Sequence, residues 1–126
     1  MAKTVKDYLN YFIELLKKDN ITVIEKARLD STQYMIYPVS AKKNCFLVIQ
    51  SYNATGKDSL KHEDCITIMY QITTMSDTTT KLKLSNSTSY IEFIKVLQDA
   101  YVLYQLVADA YEIRTFSEII DELIIY

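Results

Sequence analysis

Tryptophan is absent from this chain of 126 residues, and glycine, proline and histidine occur once each, as Gly56, Pro38 and His62. Loops that cradle phosphate or pyrophosphate need several glycines, so that bare backbone N–H groups can approach the ligand. One glycine therefore excludes a P-loop, a dinucleotide fingerprint and a G-x-S-x-G nucleophile elbow. One histidine and two cysteines, Cys45 and Cys65, leave few ways to assemble a catalytic constellation. No run approaches the roughly 20 apolar residues of a membrane span. The start of the chain lacks a signal-peptide core, since Asn10 and Glu14 interrupt its apolar stretch. A cytoplasmic protein with reduced cysteines and no membrane partner is the expectation.

The remaining composition is that of a soluble globular protein, 49% apolar and 24% charged. A chain of this size buries roughly two-thirds of its unfolded surface, enough for a core without metal or disulfide staples. Twelve lysines stand against two arginines, with fifteen isoleucines and eleven tyrosines. These are residues of A/T-rich codons, a hint of a low-GC bacterium or its phages. Net charge is −2, unevenly spread. Residues 1–89 hold twelve basic and nine acidic side chains, and residues 90–126 hold two basic and seven acidic.

Periodicity divides the chain. Thr4-Val-Lys-Asp7 resembles a capping box, and Val5, Tyr8, Leu9, Phe12, Ile13 and Leu16 recur at helical spacing behind it. A helix at about 4–18 follows, with Asn20 suited to a left-handed stop. From Ile21 the period becomes two. Strands are expected at 21–28, 32–37, 44–52, 64–72 and 80–84, with Pro38 placing the end of the second at an edge or bulge. The short connections favour an antiparallel meander of four or five strands. The last third is helical again. Ser89-Tyr-Ile-Glu92 and Thr115-Phe-Ser-Glu118 read as capping boxes, the first opening a long helix whose apolar stripe runs from Phe93 to Tyr111. The expected fold is one compact α+β domain over 1–126: an N-terminal helix, the meander sheet, and two C-terminal helices packed on it.

His62, Cys65 and Cys45 are the available soft metal ligands, fewer than the four of a structural zinc site. If 44–52 and 64–72 pair with Cys65 near Ser51 and Cys45 near Gln71, the sulfurs stand roughly 20 Å apart at strand rise. They then share neither a metal nor a disulfide. Ser59, His62, Glu63 and Asp64 share a polar loop, with no oxyanion hole to complete a nucleophilic site. Val48-Ile-Gln50-Ser-Tyr52 lacks the carboxylates of a metal-dependent nuclease strand. No catalytic residue, metal ligand or cofactor is assigned.

Two binding readings remain. Val102 and Leu106 lie one turn apart on an arc otherwise polar, and two adjacent apolar residues rimmed by charge can mark a contact. With Asp99, Asp109, Glu118, Asp121, Glu122 and Tyr126 they form the candidate surface for a protein partner. That partner is expected to be basic, such as a nucleic-acid-handling enzyme, and a homodimer would use the same patch twice. Small size and low-GC composition fit a phage or mobile-element inhibitor of a host or defence enzyme. The alternative is a nucleic-acid-binding module. It would use strand tyrosines Tyr34, Tyr37, Tyr52 and Tyr70 with Lys42, Lys43, Lys57, Lys61, Lys81 and Lys83 in or near loops.

Overall fold

The computed structural model describes residues 3–53, 65–73, 79–86 and 90–126. Its elements follow the order α1 (Val5–Lys18), β1 (Thr22–Ala27), β2 (Ser31–Tyr37), β3 (Cys45–Tyr52), β4 (Cys65–Ile72), β5 (Thr79–Ser85), α2 (Tyr90–Tyr104) and α3 (Arg114–Ile124). The five strands form one open antiparallel sheet in sequential order. All three helices lie on one of its faces, giving the expected α+β meander. Among the described residues no helix is long and apolar enough to cross a membrane.

The first helix starts and stops by local chemistry. The Thr4 hydroxyl accepts the Asp7 N–H at 3.2 Å, and the Asp7 carboxylate accepts the Thr4 N–H at 2.8 Å, so two otherwise unpaired donors are satisfied. Lys17 and Lys18 sit at the negative end of the helix. Asn20 then takes the left-handed conformation, φ 60°, which an asparagine tolerates better than most residues. The buried face of α1 presents Val5, Tyr8, Leu9, Phe12, Ile13, Leu15 and Leu16 to the core.

On the sheet, Ile36, Leu47, Ile49, Ile66, Ile68, Tyr70, Ile72 and Leu84 face the helices. Period-two alternation turns the intervening residues to the opposite side. Phe12, Phe93, Phe116 and Tyr104 bring α1, α2 and α3 together. Phe12 meets Phe93 at 5.8 Å and Phe116 at 6.4 Å, both edge-on, and Tyr104 lies 5.9 Å from Phe116. The Tyr104 hydroxyl donates to the Phe46 carbonyl at 2.7 Å, fastening the last turn of α2 to β3.

Four expectations are corrected. The β3–β4 register is one residue away from that assumed, pairing Cys45 with Ile72 and Ser51 with Ile66. A one-residue slip exchanges faces. Cys45 therefore lies on the helical face, while Cys65, paired with Ser85, lies on the other. Neither forms a disulfide, and both are buried. Secondly, α2 ends at Tyr104, well before Tyr111, which is 78% exposed. Thirdly, α3 starts at Arg114 behind Ile113 with no side-chain cap, and a reciprocal pair of bonds between Asp109 and Glu112 closes the turn before it. The Asp109 carboxylate accepts the Glu112 N–H at 2.9 Å, and the Glu112 carboxylate accepts the Asp109 N–H at 3.1 Å. These bonds offer the backbone an alternative to continuing α2. Thr115 and Glu118 already lie inside α3, where Glu118 pairs with Arg114 at 3.5 Å. Finally, β2 is flanked by β1 and β3, so Pro38 marks no sheet edge; it sits one residue beyond the strand, where no ladder donor is required. The cap expected at Ser89 lies outside the described residues.

Burial holds the Tyr104 hydroxyl well above its ordinary value of 10.0, with Cys45 and Tyr70 adding to the shift. Burial also raises Tyr8 and Tyr34. The unfolded chain thus loses these protons first, and stability must fall as pH rises past about 10. Thermal unfolding at a series of alkaline pH values should show this decline. In Tyr104→Phe the decline should be shallower, with about 1 kcal/mol lost near neutral pH from the missing hydrogen bond.

Candidate binding surfaces

Two surfaces of opposite character emerge, one on each side of the molecule. The outer side of the helical layer holds the acidic residues of the last third. Asp99, Val102 and Leu106 are exposed on the outer arc of α2 and just past its end, Val102 at 62% and Leu106 at 63%. Neither α1 nor α3 folds over them. Ile91, 67% exposed, lies on the same arc. Its spacing of eleven residues from Val102 is three helical turns, a signal present in the sequence but just ahead of the apolar stripe that begins at Phe93. On α3 the exposed residues Glu118, Asp121 and Glu122 recur at i, i+3, i+4 and share one arc.

Two of the proposed contact residues have other work. Asp109 is held in the turn before α3 through its bonds with Glu112. Tyr126, partly exposed, packs against α1. It stacks on Tyr11 at 4.1 Å and 10°, and meets Tyr8 edge-on at 5.3 Å. The Lys3 ammonium lies 3.8 Å from the centre of its ring and also donates to the Tyr126 carbonyl. Tyr8 in turn stacks on Tyr90 at 4.9 Å, so four tyrosines link α1, α2 and the chain after α3.

The second surface is the side of the sheet that none of the described helices covers. Of the four strand tyrosines, Tyr70 is buried in the core and Tyr34 packs against it, both facing the helices. Tyr37 and Tyr52 face outward by alternation. Lys81 and Lys83 lie in β5 rather than in loops, and also face outward. Lys26 on β1 joins them; strand periodicity alone does not say which face a mid-strand lysine takes. A groove of about 470 Å³ opens on this face, lined by Gln33, Val48, Gln50, Tyr52, Thr67, Met69, Lys81 and Lys83 among others. The Tyr52 end of β3 is anchored by Lys6, whose ammonium donates to the Tyr52 carbonyl.

No group of three or more His, Cys, Asp or Glu side chains able to hold a metal is found among the described residues. Ser59, His62, Glu63 and Asp64, with Lys57 and Lys61, lie outside them. Burial raises the Cys45 thiol, Lys42 opposing the shift, so its reactive thiolate is suppressed.

The tyrosine cluster yields a direct test. Tyr126→Ala should remove two ring contacts and cost about 1–3 kcal/mol, read as a lower thermal midpoint, while Tyr126→Phe should retain most of the stability. No family model matches this chain, and comparison with curated proteins and with solved structures likewise finds no match.

Proposed function

We propose that this is a non-enzymatic binding protein whose acidic helical layer docks on a basic surface of another protein. The observation that supports this reading is the uncovered apolar set Ile91, Val102 and Leu106 on the outer arc of α2, beside Glu92 and Asp99. A helix in a two-layer fold buries its apolar residues against the sheet, and a set left on the opposite arc has no role in that packing. Apolar side chains supply affinity once water is excluded from them. The carboxylates on α2 and α3 would steer encounter with a partner of opposite sign and reject one of the same sign. A nucleic-acid-handling enzyme offers such a basic surface, and covering it would inhibit that enzyme.

Val102→Asp combined with Leu106→Asp tests the reading. Both side chains are solvated, so the circular dichroism spectrum and cooperative unfolding should be those of the unchanged protein. Binding to a partner captured by the unchanged protein should weaken at least roughly thirtyfold, the scale of losing a hot-spot contact. Reversing Asp121 and Glu122 to lysine should mainly slow association and reduce its dependence on salt. Full retention of binding by the double variant would move the contact elsewhere. Loss of concentration-dependent self-association in that variant would identify the partner as a second copy.

A further inference from the structure

The outward face of the sheet has a pattern that packing against the helices does not explain. The pairing register aligns Lys26, Gln33, Gln50, Thr67 and Lys83 in one row across all five strands. This row places an ammonium at each edge and three hydrogen-bonding side chains between, over about 19 Å at the usual strand spacing. The adjacent row runs Ile24, Met35, Val48, Met69 and Lys81. Two depressions lie along these rows and share Gln33: the groove of about 470 Å³ toward β5, and another of about 300 Å³ bordered by Ile24, Lys26 and Met35. The strands contain one carboxylate, Glu25, and it faces the helices, 3.6 Å from Lys17. The outward strand positions are therefore basic without any opposing charge.

We propose that this sheet face binds single-stranded nucleic acid. Lys26, Lys81 and Lys83 would meet phosphates from the two edges. Gln33 and Thr67 present both donors and acceptors, and Gln50, which donates one amide hydrogen to Ser31 Oγ at 3.1 Å, keeps a second amide hydrogen and its carbonyl. Such a set suits the edges of bases better than an acidic peptide, whose carboxylates only accept. Val48 and Met69 form an apolar floor for base faces, and Tyr52 at the margin of the groove gives a ring for stacking. A row in mid-sheet reaches base edges only when the bases are splayed out, so a single strand fits and a duplex does not. The helical layer takes no part, so this proposal stands separately from the docking surface on α2 and α3.

Fluorescence anisotropy with labelled oligodeoxythymidine and oligouridine tests it. Three lysine–phosphate contacts predict a log–log salt slope of about −2, hence binding roughly twentyfold weaker at 200 than at 50 mM salt. Lys81→Glu with Lys83→Glu should abolish binding while leaving the melting curve intact, since both side chains are exposed. Tyr52→Ala should weaken it at least fivefold. Val102→Asp with Leu106→Asp should bind as the unchanged protein does. The proposal is overturned if no binding occurs up to about 100 µM protein at low salt, the weak end of non-specific association. Indifference to the lysine pair, or to Tyr52→Ala, overturns it equally. Competition by poly-L-glutamate as effective as that by unlabelled oligonucleotide would assign the face to acidic protein segments instead.

Discussion

Four rings fix how this molecule is layered: Phe93 and Tyr104 from α2, Phe12 from α1 and Phe116 from α3, all fully buried and joined in the succession Phe93–Phe12–Phe116–Tyr104. Each helix alone has an apolar stripe that water disfavours, and the rings give the three stripes a common centre. Tyr104 does a second thing, because its hydroxyl reaches the Phe46 carbonyl and ties the helical layer to the middle strand of the sheet. A buried hydroxyl without a partner would cost more than the bond itself contributes, so the position of α2 over β3 is set by satisfaction as well as by packing. With three helices gathered around that centre on one side, none of the described helices covers the other.

The one-sided arrangement also separates charge. Residues of the last third, which hold seven of the sixteen acidic side chains, are confined to the helical layer, while Lys26, Lys81 and Lys83 project from the opposite sheet face. The chain is nearly neutral in sum, at −2, yet its two sides present different signs. Such a distribution says more about association than the net value does, since fields act locally within about 10 Å at ordinary ionic strength. An apolar set lies within each surface, Ile91, Val102 and Leu106 on one and Ile24, Met35, Val48 and Met69 on the other.

The order of elements was legible because each rests on short-range chemistry. Thr4 and Asp7 cap a helix wherever it packs, Asn20 stops it, and the change of period at Ile21 marks the first strand. Exposure of Val102 and Leu106 was only partly legible. Their position on a polar arc is a local fact, but whether another helix folds over them depends on the path of the chain. The end of α2 was misread because periodicity extends through Val107, Ala108 and Tyr111, whereas the Asp109–Glu112 bonds divert the backbone before that pattern completes.

What the sequence determined by itself was therefore the set of elements, the meander that short connections impose, and the absence of the glycine-rich loops that phosphate chemistry uses. The tertiary structure decided which face each residue occupies. Register shows why: a shift of one residue between β3 and β4 leaves composition and periodicity untouched but sends Cys45 and Cys65 to opposite sides. The same parity turns Tyr34 and Tyr70 toward the helices and leaves Tyr37 and Tyr52 outward with the lysines. Strand alternation marks two sides in any sequence, but only the docking of three helices on one of them makes the other a surface.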